Sequence, residues 1–208
     1  MTAARVLGSG FDAALRGKSC VLEFASGERL RLPIERWHGR PDTFDGMLLD
    51  RCRGRTMDVG CGPGRLAGAL TERGVAALGI DVSPLAVALT RRRGACALRA
   101  DVFDRLPAEG RWRHVLLADG NVGIGGNPTA LLARVRDLLA PGGSAVVELD
   151  PPGTGLRRHT ARVAGQHGTF PWARVAVDLA ARLADSAGLV VSAAGGSDGR
   201  WFAELVRR

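Results

Sequence analysis

The sequence predicts an α/β protein built on a mostly parallel sheet with helices on both faces. Three observations carry that expectation. From residue 55 onward, short apolar runs alternate with stretches of helical periodicity, the pattern left by parallel strands and their crossover helices. The helices between them are cleanly punctuated. Ser83-Pro84 and Asn127-Pro128 open two of them, and Gly74 and Gly94 close two, as N-cap, first-turn and C-terminal residues do. Finally, Asp58, Asp81, Asp101 and Asp119 fall at the ends of four successive strand candidates, where ligands gather in an open parallel sheet.

Taken in order, Val6, Leu7, Phe11, Ala14 and Leu15 fall close to helical spacing, so Arg5 to Leu15 reads as an amphipathic helix stopped by Gly17. Leu22 and Phe24, then Leu30 and Leu32, alternate with charged residues across a turn at Ser26-Gly27. That is a hairpin, ended by Pro33. Ile34 to Pro41 reads as a loop, and Thr43 to Arg51 as a helix with Phe44, Met47 and Leu48 on one face. Residues 1–54 are therefore expected to form a helix, hairpin and helix appendage, either a lid over a substrate pocket or a packing layer.

The core is expected over 55–208. Its first strand is Arg55 to Val59 and its first helix Leu66 to Arg73; strand two is Ala76 to Ile80, strand three Cys96 to Ala100 and strand four His114 to Ala118. A loop from Gly120 to Gly126 precedes a helix carrying Leu131, Leu132, Val135, Leu138 and Leu139 on one face. Pro141-Gly142-Gly143 breaks that helix and feeds strand five, Ser144 to Leu149. Asp150 to Thr169 reads as irregular, Ala173 to Ala187 as a helix, and Leu189 to Ser192 and Trp201 to Val206 as the last strands.

Composition narrows the function classes. At 208 residues, 46% hydrophobic and 24% charged, the chain suits one globular domain. No apolar run reaches the roughly 18 residues of a spanning helix, and the N-terminus lacks the apolar core of a secretory signal, so a cytoplasmic protein without membrane contact is expected. Cys20, Cys52, Cys61 and Cys96 lack C-x-x-C spacing, which argues against a zinc site or a disulfide framework. The net charge of +8 invites a nucleic-acid partner, but Lys18 is the only lysine and the arginines are scattered. A solvated surface is the expected reason for the charge.

The motif that carries the chemistry is Asp58-Val59-Gly60-Cys61-Gly62-Pro63-Gly64-Arg65. Glycines at 60, 62 and 64 allow a tight turn and bring backbone N–H groups close to a ligand. A dinucleotide fingerprint would need a third glycine at the sixth place of G-x-G-x-x-G, and that place is Arg65. The pattern that remains, D-x-G-x-G-x-G, resembles the first motif of class I S-adenosylmethionine (SAM) dependent methyltransferases, and the helix, P-G-G turn and strand five look like their core as well. The resemblance implies a Rossmann-like, seven-stranded sheet whose last strand is antiparallel, with SAM as cofactor and S-adenosylhomocysteine as product. It further implies that Asp81 accepts both ribose hydroxyls, that Asp101 meets the adenine amino group, and that the Val102 amide meets a ring nitrogen. Asp58 would hold the methionine ammonium near the Gly60 and Ala118 carbonyls. The backbone from Gly60 through Cys61 and Gly62 to Gly64 would lie against methionine and ribose, with Val82 and Asp119 completing the set.

The acceptor half is less legible, because methyl transfer asks chiefly for near-attack geometry and exclusion of water. Candidate bases are His38 first, then Asn121, His159 and His167. Arg36 and Trp37 are candidates for the SAM carboxylate or a substrate ring, and Trp172 for the far wall. Asp150-Pro151-Pro152-Gly153 has no aromatic residue after its prolines, so the base-stacking D-P-P motif is discounted. Asp119 and Asp150 end strands four and five, but Pro151 stands where magnesium-dependent relatives keep an asparagine, and no metal is expected. The expected activity is methyl transfer to a small molecule. The rivals are an RNA or protein methyltransferase, which would require arginines converging around the cleft, and a SAM-fold binding protein without catalysis.

Overall fold

The computed structural model describes residues 10–208. Arg5 to Ser9 of the expected first helix lie outside that range, and its end is seen as α1, Asp12–Leu15. The hairpin is β1, Val21–Phe24, and β2, Arg29–Arg31, paired Leu22 to Leu30. Ile34–His38 forms a short helix, α2, in place of the expected loop; five residues are too few to show a helical period in sequence. α3, Thr43–Leu49, starts at a capping box in which the Asp42 and Asp45 side chains each accept the other's amide.

The large sheet follows the expected order. β3 is Thr56–Val59, β4 Ala77–Asp81, β5 Cys96–Arg99, β6 Trp112–Leu117, β7 Leu139–Leu149, β10 Leu189–Ser197 and β11 Arg200–Arg207. Its spatial order is β10-β11-β7-β6-β3-β4-β5, with β11 antiparallel to both neighbours and the rest parallel. α4, Arg65–Glu72, α5, Pro84–Arg92, α6, Pro128–Leu138, and α7, Ala180–Ser186, serve the crossovers. This is the Rossmann-like, seven-stranded architecture. From β3 the chain runs outward through β4 and β5, then returns to β6 on β3's other side. The carboxyl ends of β3 and β6 thus flank the switch point, where such sheets bind ligands. β7 begins at Leu139 instead of Ser144, because Pro141 to Gly143 form an irregularity within the strand, opposite the register shift between Trp112 and His114. A Cβ on Gly143 would sit 2.9 Å from two carbonyl oxygens.

The largest departure follows β7. Residues read as irregular form β8, Leu156–Val163, and the start of the expected helix is β9, Phe170–Val175. The helix itself covers only Ala180–Ser186, after a 3-10 turn at Val177–Leu179. β8 carries Arg157, Arg158 and Arg162 on exposed positions, which makes it look like a polar loop. Pro171 is tolerated in β9 because that strand is an edge. β8 and β9 join the N-terminal hairpin in a second, antiparallel sheet of order β2-β1-β8-β9, with Leu22 opposite Val163. Residues before 55 therefore share a sheet with residues 156–175. Beneath it, Leu22, Phe24, Ile34 and Phe170 form a separate apolar cluster, while two further clusters cover the faces of the large sheet.

Candidate active site

β3 runs into a loop whose three glycines all adopt left-handed backbone, with φ of +69° at Gly60, +53° at Gly62 and +84° at Gly64. Two of them are also sterically required. A Cβ on Gly60 would lie 2.6 Å from Asn121 Nδ2, and one on Gly64 would lie 2.7 Å from Thr90 Cα. Gly62 faces open space. The loop is pinned from three sides. Asn121 Nδ2 donates to the carbonyls of Val59 and Gly60 at 2.9 and 3.0 Å, the Gly62 amide donates to Asp81 Oδ2 at 3.0 Å, and Thr90 Oγ1 donates to the Gly62 carbonyl at 3.0 Å.

Asp81 closes β4 and also accepts the Ser83 amide on Oδ1 at 2.9 Å. Burial raises its pKa, and the amides of Ser83, Gly62 and Val82 oppose that rise. Asp58 is 3% exposed. Burial first, then the Asp119 carboxylate, push its carboxyl up to about 7 against the pull of the Ala67 amide; Asp81 adds to the rise. Asp101 Oδ1 accepts the Phe103 amide at 3.0 Å, and Val102 beside it is buried. Cys61 is buried against Thr90, 3.4 Å from its hydroxyl, and burial pushes the thiol up, which makes it an inert packing group.

Arg65, the residue in the place of a third glycine, is 3% exposed. Its guanidinium joins Asp45 of α3 to Asp119 after β6. Asp119 in turn accepts Arg36 of α2 on Oδ1 at 2.8 and 3.1 Å, and its own amide donates to Glu148 of β7 at 2.7 Å. Arg200 of β11 completes the cluster by holding Glu148, Asp42 and Asp45. Asp119 sits in left-handed backbone at φ +53°. A side chain anchored by two guanidiniums is what holds that conformation. The sequence gives no sign of this cluster, because its members are spread from α2 to β11.

A cleft of about 1160 Å³, open at its mouth, runs along the carboxyl ends of β3, β4 and β6. Its floor includes Asp58, Gly60, Cys61, Gly62, Val82 and Asp81, with Asp101 and Val102 at one end and Ala118, Asp119 and Asn121 at the other. Phe11, Leu15, Leu22, Leu32, Trp37 and Trp172 roof it. Of this apolar roof the sequence singles out Trp37 and Trp172 and not Phe11, Leu15, Leu22 or Leu32, since its residues come from separate elements. Of the expected donor set, Gly64 alone does not line the cleft. The Gly60 and Ala118 carbonyls each accept from Asn121, the first from its side chain and the second from its amide.

The expected acceptor residues divide. Trp37 and Trp172 line the cleft, Trp172 from strand β9 and not from the start of a helix. The Trp37 Nε1 is buried with no hydrogen-bond partner among the described residues, and so is the Arg65 Nε. His38 does not line the cleft: its Nε2 lies 3.0 Å from the Ala14 carbonyl, so the ring packs on α1 and is not set to act as the base. Asn121 reaches the cleft, but its amide group is used to clamp β3. His159 stacks on Phe24 with ring centroids 4.1 Å apart, on the second sheet, and His167 is exposed between β8 and β9. Arg36 lines a second chamber. Among the described residues no group of three or more His, Cys, Asp or Glu is placed to hold a metal ion, and no helix is long and apolar enough to cross a membrane.

The fold is the one that class I methyltransferases share. Residues 56–143 match the family model described as a methyltransferase domain. Solved structures agree at the level of fold. A SAM-dependent methyltransferase from Bacteroides fragilis, in complex with S-adenosyl-L-homocysteine, is similar with a TM-score of 0.78 and 21% identity, covering 100% of this chain and 98% of that one. The 1,6-didemethyltoxoflavin-N1-methyltransferase of Burkholderia thailandensis, with its substrate and S-adenosylhomocysteine bound, gives 0.60 and 19% over 78% and 76%. An amino pentose methyltransferase from Micromonospora echinaspora gives 0.61 and 21% over 79% and 90%.

Proposed function

We propose that the protein transfers a methyl group from SAM to a small-molecule acceptor and releases S-adenosylhomocysteine. One observation carries this reading: Asp58, Asp81 and Asp101, from three successive strand ends, line a single cleft together with the open face of Gly62. The cleft's unmet demands fit the donor. Asp58 is a buried carboxylate with no cationic partner among the described residues, which suits an ammonium group. Trp37 and Arg65, which line the same cleft, carry unmatched donors at Nε1 and Nε, which suit a carboxylate. Asp81 would take the ribose hydroxyls, and Asp101 with Val102 the adenine edge.

When bound, SAM supplies an electrophilic methyl on a sulfonium. What this chain's residues contribute is position and dryness: Asn121 and Asp81 fix the loop, while Phe11, Leu15, Trp37 and Trp172 keep water out. No histidine lines the cleft. In this reading α1, the hairpin, α2 and the β8–β9 hairpin act together as a lid, one of the two roles open to residues 1–54.

A small acceptor is favoured over RNA by the fate of the arginines. Arg36, Arg65, Arg134, Arg162, Arg174 and Arg200 are paired with carboxylates. Arg91, Arg93 and Arg113 are bound to backbone carbonyls. Those that gather at the end of the cleft, Arg36, Arg65 and Arg200, are each engaged by Asp119, Asp45 or Glu148. The test is to incubate the purified protein with isotope-labelled SAM and cell extract, with and without nuclease, and to follow the label by mass spectrometry. Label in small molecules is expected; label in RNA or protein would overturn the acceptor assignment.

A further inference from the structure

A second chamber of about 720 Å³ lies between the two sheets and shares Leu22, Leu32, Asp119 and Trp172 with the donor cleft. The two spaces meet at those residues. Leu30, Pro33, Val122 and Val175 give the second one apolar walls, while three carboxylates and three arginines gather at its polar side.

The hydrogen bonding there is lopsided. Asp150 is gripped by Arg174 through parallel bonds of 2.9 and 3.1 Å. Glu148 is gripped likewise by Arg200, at 2.9 and 3.0 Å, and also takes the Asp119 amide. Asp119 receives Arg36 on one oxygen and Arg65 on the other. All three acids are therefore occupied. Arg174 is likewise engaged, by Asp150 and Glu28, but two of the cations are not: among the described residues, Arg36 Nη1 has no hydrogen-bond partner, and Arg31 meets only Glu35, at 3.8 Å, where both side chains are mostly in water. Spare capacity in the chamber thus lies with guanidinium donors, which favour an anionic oxygen acceptor. Its apolar walls and the Trp172 ring favour a flat hydrocarbon body.

Resting on the methyltransferase reading above, we propose that the methyl acceptor is a small aromatic acid that fills this chamber. Its carboxylate is held by Arg36, with Arg31 at the mouth, and its ring lies along Trp172 with the methylated position toward the donor cleft. The carboxylate is the anchor and not the atom methylated. Arg36 suits the task because its Nε and Nη2 are already fixed on Asp119, so little side-chain freedom remains to be lost on binding.

The test uses three probes of one shape and different charge: 3-phenylpropionate, 3-phenylpropanamide and 3-phenylpropylamine, each titrated calorimetrically into protein saturated with S-adenosylhomocysteine. The acid should bind about tenfold more tightly than the amide, with the amine weakest, and Arg36→Gln should remove most of that advantage. Arg31→Gln, at an exposed position, should remove part of it and decides the matter if Arg36→Gln does not fold. Equal binding of the three probes, a preference for the amine, no binding of the acid, or an acid preference that survives both substitutions would overturn the proposal. S-adenosylhomocysteine is titrated first. Failure of that step overturns the methyltransferase reading itself, whereas its success without an acid preference overturns only the acceptor class.

Discussion

Burial and two neighbouring carboxylates leave Asp58 half protonated near neutrality in the ligand-free protein. With its folded value raised to about 7 from 3.8, its contribution to stability is fully present below the ordinary carboxylate range and is lost as pH rises through about 7. A cation bound beside it reverses the preference, so SAM binding should expel a proton and tighten as pH rises from about 6 to 8. Calorimetry in buffers of differing ionisation enthalpy reads that proton directly, and Asp58→Asn should abolish it; a wild-type affinity flat across this range would sink the assignment. The glycines make a contrasting pair. Gly64→Ala places a Cβ 2.7 Å from Thr90 Cα at a φ of +84°, and should cost upwards of about 2 kcal/mol in a urea melt. Gly62→Ala meets no atom and should cost only the backbone strain, about 1–2 kcal/mol, while its methyl group enters the ligand's space. SAM affinity should therefore fall more sharply in Gly62→Ala than its stability does.

α3 shows what one helix start can be asked to do. Asp45 closes its capping box by accepting the Asp42 amide, is fully buried, and is also the partner of both Arg65 and Arg200. Asp45→Ala removes the reciprocal half of the capping box and leaves the buried Arg65 guanidinium with one carboxylate fewer, so a loss of about 3 kcal/mol or more is expected by chemical denaturation. A loss below about 1 kcal/mol, the cap alone, would show that the buried pair contributes nothing net. How well each element could be read follows from where its information lies. β3 with its glycine loop and α5 with Ser83-Pro84 were legible because the residues that fix them are adjacent in sequence. β8 was not, because the exposed Arg157, Arg158 and Arg162 mask the few residues that face inward. The same division runs through the site: the strand-end carboxylates announce themselves, whereas Arg65, Asp45 and Arg200 meet only in three dimensions, and His38 is turned away by a carbonyl of α1.

For the molecule as a whole, a second buried group opposes Asp58 in its pH response. His114 lies on the inner strand β6, its Nδ1 3.0 Å from the Ser144 hydroxyl, which donates to Glu204 at 2.8 Å. Burial, with Arg113 nearby, lowers its pKa. The unfolded chain then binds this proton more readily, so the stability is present above the ordinary histidine range and is lost as pH falls below about 6.5. A thermal midpoint that drops between about pH 6.5 and 5, and drops less in His114→Gln, is the expected result; parallel curves for the two proteins would contradict it. The pairing of Leu22 with Val163 has a different kind of consequence. During synthesis the β1–β2 hairpin leaves the ribosome with one edge unmatched, and it waits through the five strands β3 to β7 before β8 arrives to cover it. The donor floor is thus complete before the roof can close, and non-local pairing of this kind is slow to form. A nascent chain arrested short of β8 would hold its loop and carboxylates in order yet present Leu22, Phe24 and Leu32 to whatever chaperone is near.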